Sequence, residues 1–315
     1  MSVHGPWRNW FFNACVRLQR SVSAHRPTEP KAMTLRIEDY ALIGDCKSAA
    51  LVGRDGSVDW LCWPRFDSAA CFAALLGTCD NGRWLIAPKH SAPAARRRYR
   101  PGTLVLETEF QTETGSAAVI DFMPAAGAHL VRIVTGRSGR VVLQTELVVR
   151  FNYGATVPWV TRLDPHTIDA IAGPERLVLR TPATLYGEDL KTVGEFTVEA
   201  GESVAFVLSY GASFQSPPPP INPFNALECT ETFWREWSDR CPSVGPWTEA
   251  VKRSLITLKA LTYAPTGGII AGFSTSSAMC CPGLPDADAL FGKFTSRGSP
   301  WGLFSGAQGL QGEGD

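Results

Sequence analysis

The stretch Leu104-Val105-Leu106-Glu107-Thr108-Glu109-Phe110, the turn Thr114-Gly115-Ser116 and the run Ala118-Val119-Ile120-Asp121-Phe122 decide the fold class. In the first run Leu104, Leu106, Thr108 and Phe110 alternate with Val105, Glu107 and Glu109, the period of two that a half-buried strand shows. The pattern recurs in Leu130–Thr135 and in Val141–Phe151, where Gly136-Arg137-Ser138-Gly139 reads as the turn of a meander. Arg176–Arg180, Glu195–Glu199 and Val204–Tyr210 supply three more strands, the last two separated by Ala200-Gly201-Glu202-Ser203. Short strands at regular intervals, Gly-rich turns and almost no helical period between residues 100 and 210 predict an antiparallel β-sandwich.

Upstream, Ser48–Val52 and Ser57–Trp63 flank Gly53-Arg54-Asp55-Gly56, whose Asp-Gly pair suits a hairpin turn. Pro64 has no N–H to give a ladder and ends the second strand. Downstream, Pro217-Pro218-Pro219-Pro220 stiffens into an extended spacer and marks a domain boundary. Beyond it, Leu227, Thr230, Trp234, Trp237 and Cys241 recur at helical spacing, as do Trp247, Val251, Leu255, Leu258 and Thr262 or Tyr263. Pro265 and Gly267-Gly268 close the second helix. The expected class is therefore mainly β, an antiparallel β-sandwich followed by a helical linker and a further helix. The expected divisions are an extra, disordered segment over 1–32, the sandwich over 33–216, a Pro-rich linker and helix over 217–246, a helical start over 247–271 and a Gly-rich tail over 272–315. Nine of those last 44 residues are Gly, against twenty of the preceding 271, so the tail is expected to be poorly ordered.

Bulk composition narrows function by exclusion. Thirty basic and thirty acidic residues balance, so no overall field favours nucleic acid or an anionic membrane surface. No apolar run approaches the roughly 20 residues of a membrane helix. The basic run Arg96-Arg97-Arg98-Tyr99-Arg100 reads as a solvated entry to a strand. Cys15, Cys46, Cys62, Cys71, Cys79, Cys229 and Cys241 show no C-x-x-C pairing, and Cys280-Cys281 brings the total to an odd nine. Free thiols in a reducing cytoplasm are the expectation, with no metal and no cofactor. His4, His25, His90, His129 and His166 are scattered and lack ligand spacing. Residues 1–32 carry Trp7, Trp10, Phe11 and Phe12 among arginines with no acid before Glu29. An organelle transit peptide has such a composition; translated upstream sequence, with Met33 as the natural start, is the preferred reading.

Ile37-Glu38-Asp39-Tyr40-Ala41-Leu42-Ile43-Gly44-Asp45, followed by the segment Gly53–Ser68 with its Asp-Gly-Ser-Val-Asp-Trp-Leu-Cys-Trp-Pro core, resembles the amino-terminal signature of bacterial family 15 glycoside hydrolases, the glucoamylase and trehalase group. Tyr99-Arg100-Pro101-Gly102-Thr103, Asp121-Phe122-Met123-Pro124, Ser254–Tyr263 and Pro265–Ala271 resemble the same family in the same order. The resemblance implies a trehalase-like β-sandwich, a helical linker and the first helix of a truncated (α/α)6 barrel. It also implies inverting hydrolysis of α-glucosidic bonds, in trehalose or at α-glucan ends, by two glutamates that lie past the equivalent of Asp315. After Ala271 the family's sugar-gripping cluster is absent: Gly272-Phe273-Ser274-Thr275-Ser276-Ser277 stands where Thr-Thr-Ser-Leu-Pro-Glu is expected, and a change of reading frame would account for it. No residue is therefore assigned as catalytic, none as a metal ligand, and substrate-binding residues and oligomeric state stay unassigned. Asp39, Asp45, Asp59 and Asp67 are expected to hold turns through backbone hydrogen bonds. Trp60, Trp63 and Phe66 either pack the sandwich or face the barrel mouth. The alternative to an enzyme is a non-catalytic β-sandwich module that binds carbohydrate or a partner.

Overall fold

The computed structural model describes residues 35–90, 94–241 and 245–270. The expectations for 1–32 and 272–315 lie outside the described residues. Strands β1 (Tyr40–Gly44), β2 (Ala49–Gly53), β3 (Ser57–Cys62), β4 (Ala70–Phe72) and β5 (Arg83–Pro88) come first. Then follow β6 (Ala94–Tyr99), β7 (Leu106–Thr112), β8 (Gly115–Phe122), β9 (His129–Val148), β10 (Trp159–Asp164), β11 (Thr167–Ala172) and β12 (Glu175–Arg180). The last strands are β13 (Tyr186–Glu188), β14 (Lys191–Glu199) and β15 (Ser203–Ala212), before helices α1 (Pro223–Ser238) and α2 (Thr248–Ala260). One sheet runs β1-β2-β3-β5-β9-β14-β13 with β4 beside β3, the other β6-β7-β8-β9-β15-β12-β11-β10, and every ladder is antiparallel.

β9 belongs to both sheets. Its first half pairs with β8 and β15, its second half with β5 and β14. The hairpin turn expected at Gly136–Gly139 is instead a corner within one 20-residue strand. Glycine is required there by close approach. A Cβ on Gly136 would lie 2.1 Å from the Glu199 carbonyl oxygen, and one on Gly139, at φ +58°, 2.1 Å from that of Thr114.

Between the sheets, Val58, Phe72, Trp84 and Ile86 meet Phe110, Val119, Leu130 and Phe206, all fully buried. Each such side chain stabilises by about 1.5–3 kcal/mol. One buried cation ties the layers together. Arg132 on β9 is fully buried, its Nε 2.7 Å from Asp121 Oδ1 on β8, while its Nη1 and Nη2 donate to the carbonyls of Trp84 (2.8 Å) and Gly56 (2.7 Å) in the opposite sheet. Its guanidinium also stacks on the Trp84 ring.

The second sheet is covered on its outer face as well. Val105, Ile120, Phe122, Val131, Ile133 and Val207 pack there under Ile221, Ala226 and Leu227. Burial on both faces explains why β8 reads as a continuous apolar run rather than an alternation. The Pro-rich segment lies over the same sheet, where Arg176 donates to the Gln215 carbonyl and Arg180 to that of Pro218. Asn222 caps α1, accepting from the Phe224 and Asn225 N–H groups, with Pro223 in the first turn.

α2 presents a different face from the one periodicity suggests. Ile256 and Ala260 are its buried residues, while Val251, Leu255 and Leu258 are half-buried and Trp247 is 71% exposed. The helix has apolar residues on two sides, and a repeat of 3.6 does not say which side meets the sandwich.

Candidate functional site

Residues from several of the recognised segments, Leu42, Phe66, Tyr99, Arg100, Gly102, Ile256 and Tyr263 among them, meet where the helices join the sandwich. At the base, Cys46, Leu104, Trp234, Ile256 and Ala260 form a buried cluster with Leu42, Tyr99, Phe233 and Trp237 packed against it. Tyr99 is the pivot: its hydroxyl donates to the Leu42 carbonyl at 2.8 Å, and the Arg253 guanidinium of α2 sits 4.1 Å above its ring. Arg100 bonds both Glu107 on β7 and Glu231 on α1. Gly102, at φ +70°, lets α1 close in, since a Cβ there would meet the Ser238 hydroxyl at 2.9 Å.

The basic run is thus not simply solvated. Arg96 and Arg98 are exposed, but Arg97 turns inward to donate to the carbonyls of Asp39 and Val52. Glu107 faces Arg98, Arg100 and Arg137 together. Burial opposes its ionisation, yet those arginines hold its carboxyl below the usual carboxylate range.

Above the base, the β1–β2 and β3–β4 loops grip the segment after α2. Phe66 is buried edge-on against Tyr263 at 6.2 Å, Arg65 stacks over the same ring, and the Ala264 N–H donates to the Cys46 carbonyl at 2.8 Å. Cys46 adopts φ +64°, which turns that carbonyl toward the segment. Residues 261–270 fold back on themselves through Tyr263 N–H to Gly268 (2.8 Å) and Ile270 N–H to Leu261 (3.0 Å). Of the three aromatics, Phe66 alone stands at this joint. Trp63 lies in the core between the sheets, and Trp60 packs on the outer face of the first sheet beside Tyr153.

Each aspartate of the segment has a partner. Asp39 pairs with Arg54. Asp45 accepts from the Lys47 and Ser48 N–H groups at 2.8 and 2.7 Å, and burial pushes its carboxyl up to about 6. Asp55 accepts from the Ser57 N–H and hydroxyl. Asp59 accepts from the Tyr40 hydroxyl at 2.7 Å, with burial raising both groups. Asp67 takes a bidentate hydrogen bond from Arg65 at 2.9 and 2.8 Å. Burial also raises the thiols of Cys46, to about 11, and Cys62, to about 12, so neither is an activated nucleophile. Chemically the joint clamps and orients. Among the described residues it offers no matched acid and base facing a common space, and no cluster of three or more His, Cys, Asp or Glu that would hold a metal.

A cleft of about 550 Å³ opens elsewhere, between β10 and the β13–β14 hairpin, and no residue of the recognised segments lines it. A smaller groove, about 310 Å³, lies on the outer face of the first sheet. Neither was signalled by the sequence patterns, because each depends on strands (β5, β10, β13) that short or interrupted alternation left unread.

Comparison with known proteins is consistent with the architecture. Residues 31–210 match the family model described as trehalase-like, N-terminal. The chain is 30% identical over 273 residues to a trehalase of Mycolicibacterium smegmatis, covering 76% of this chain and 40% of that protein. It is 31% identical over 276 residues to a trehalase of Mycobacterium tuberculosis, covering 76% and 39%. It therefore spans about 40% of the length of these relatives. A crystal structure of a bacterial glucoamylase complexed with acarbose superposes with a TM-score of 0.55 at 10% identity, over 74% of this chain and 42% of that one, a likeness of fold. A mainly antiparallel β fold, this sequence match and the family residues gathered at one joint lead to a single assignment: the chain belongs to the family of proteins with a trehalase-like N-terminal domain.

Proposed function

We propose that this chain serves the hydrolysis of α-glucosidic bonds, in trehalose or at α-glucan ends, as the sandwich and first helical elements of an inverting glycoside hydrolase. The observation that carries the reading is the joint itself. The family-type residues Tyr99, Arg100, Gly102, Phe66 and Tyr263 are spent on holding α1, α2 and the segment after them against the sandwich. In such a reaction one carboxylic acid protonates the leaving oxygen and a carboxylate activates water, with the two groups roughly 6.5–9.5 Å apart. We assign neither role to a described residue, since the carboxylates at the joint are engaged by arginines, backbone N–H groups or a tyrosine.

In this reading residues 33–216 are the sandwich, 217–246 the linker with its helix, and 247–271 the start of the helical domain. The described cysteines Cys46, Cys62, Cys71, Cys79, Cys229 and Cys241 are free thiols, which supports a reducing, cytoplasmic setting. No described helix is long and apolar enough to cross a membrane.

The test is a chimaera in which residues 35–270 replace the matching stretch of the Mycolicibacterium smegmatis trehalase. Glucose release from trehalose or short α-dextrins is expected. A chimaera that folds but releases none overturns the reading.

A further inference from the structure

The outer face of the first sheet carries a groove of about 310 Å³ that the joint does not use. Alternation places its residues. On β5, Trp84 and Ile86 point into the core, so Arg83 and Leu85 point out; on β9, Leu143, Thr145 and Leu147 are buried, so Gln144 and Glu146 point out. Register then aligns them in rows. Tyr186 lies beside Val193, Val193 beside Glu146 and Glu146 beside Leu85, while the next row holds Glu195 beside Gln144. Tyr186 is 54% exposed at the end of its row.

The charged groups on this face are paired, two carboxylates against three cations. Glu146 sits 3.6 Å from Arg83 and 3.4 Å from Lys191, and Glu195 sits 2.6 Å from Lys89. An anionic polymer gains little from such a surface, because each cation already lies beside a carboxylate, Arg83 and Lys191 sharing Glu146. The pairs still present unused capacity: a carboxylate accepts about four hydrogen bonds, an ammonium donates three, a guanidinium five, and the Gln144 amide does both. A ligand whose neighbouring groups each donate and accept, and which carries no net charge, matches that set. A pyranose ring has such hydroxyls on its edge and an apolar C–H face, and the exposed Tyr186 ring supplies the apolar platform with a polar tip.

We propose that this groove is a saccharide-binding surface, with Tyr186 stacking a sugar ring and Gln144, Glu146 and Arg83 bonding its hydroxyls. The choice of an α-linked glucan as ligand rests on the function proposed above; the existence of the site does not. The full chain is titrated with maltoheptaose, and with cellohexaose as the β-linked control, by calorimetry. Maltoheptaose is expected to bind, Tyr186→Ala to weaken it by about tenfold or more, and Gln144→Ala to weaken it less. An unchanged melting temperature shows that each variant is folded. Binding unaltered in Tyr186→Ala, or no binding of either glucan, overturns the proposal. Tyr186-dependent binding of cellohexaose without maltoheptaose supports the site and overturns the α-glucoside reading instead.

Discussion

Leu190 occupies the second position of the two-residue turn between β13 and β14, at φ +61°, after Asp189 at φ +47°. Two positive φ values are those of a hairpin turn that favours Asp-Gly. Left-handed backbone costs a leucine about 1–2 kcal/mol, and glycine forfeits up to about 1 kcal/mol of unfolded-state entropy. Leu190 is 73% exposed and gives up little burial, so Leu190→Gly is expected to stabilise by about 0.5–1 kcal/mol in urea denaturation; a loss of stability contradicts the strain argument. Arg132 lies at the other extreme. Removing it strands Asp121, fully buried, without its cation, and Arg132→Ala is expected to cost about 3–5 kcal/mol. The double variant Arg132→Met, Asp121→Leu should be less damaged than that single one, and an additive loss would show that the pair is not the unit. Asp45 yields a pH signature. Its folded carboxyl, at about 6, lies above the unfolded value of 3.8, so the folded state binds the proton more tightly. Its contribution is fully present below the unfolded value and is lost as pH rises through 6. Asp45→Asn keeps an acceptor for the Lys47 and Ser48 N–H groups without the charge. Its stability relative to the parent should therefore grow between pH 4 and pH 7, by at most about 3 kcal/mol. A difference that stays flat with pH would sink this explanation.

β9 shows at the scale of an element what the amino-acid pattern reveals and what it hides. Its two apolar runs are both visible as strands, and Gly136 and Gly139 are visible as breaks. Whether two strands are joined by a turn or by a corner depends on what approaches the glycines, here the carbonyls of Glu199 and Thr114, which are remote in sequence. A controlled comparison isolates that term. Gly139 and Gly173 share φ +58°, yet a Cβ at Gly173 meets nothing within 4 Å, whereas one at Gly139 meets a carbonyl at 2.1 Å. Gly173→Ala should cost about 1–2 kcal/mol for left-handed backbone alone. Gly139→Ala should cost that and a further 1–3 kcal/mol for the displaced strand, and equal melting temperatures would argue against a tight corner. β7, β12 and β15 were legible because hydrophobic and polar residues separate by face or turn residues bound them. β5, β10 and β11 carry no such pattern, although Asp164-Pro165-His166 marks a turn between the last two. β10 is an edge strand whose residues are all exposed, so its pattern records no core. At the joint, Phe66 and Tyr99 were visible as members of recognised segments. Their partners Tyr263 and Arg253 could not be assigned to them, because pairing across about 150 residues or more leaves no local period.

At the scale of the whole molecule the question is which part of a hydrolysis these residues perform. General acid and base each contribute roughly 10²- to 10⁴-fold to a rate, and both must face the same bond from positions that suit their roles. The raised carboxyl of Asp45 has the proton affinity of an acid catalyst but is 3% exposed and turned into its own loop. Asp67 is open to solvent but held bidentately by Arg65. Glu107 and Glu231 are locked among arginines. Among the described residues, no two of these meet the requirement together. The purified 315-residue chain is therefore expected to release no glucose above background from trehalose, maltose or short dextrins. The sandwich should matter through its grip. Phe66→Ala and Arg253→Ala remove the Tyr263 and Tyr99 contacts without touching any proposed reacting group, so in the chimaera they should lower the melting temperature and glucose release together. Glucose release by the 315-residue chain at a rate near that of the Mycolicibacterium smegmatis trehalase would place the acid and base within it, and the assignment of the described residues to support would fall.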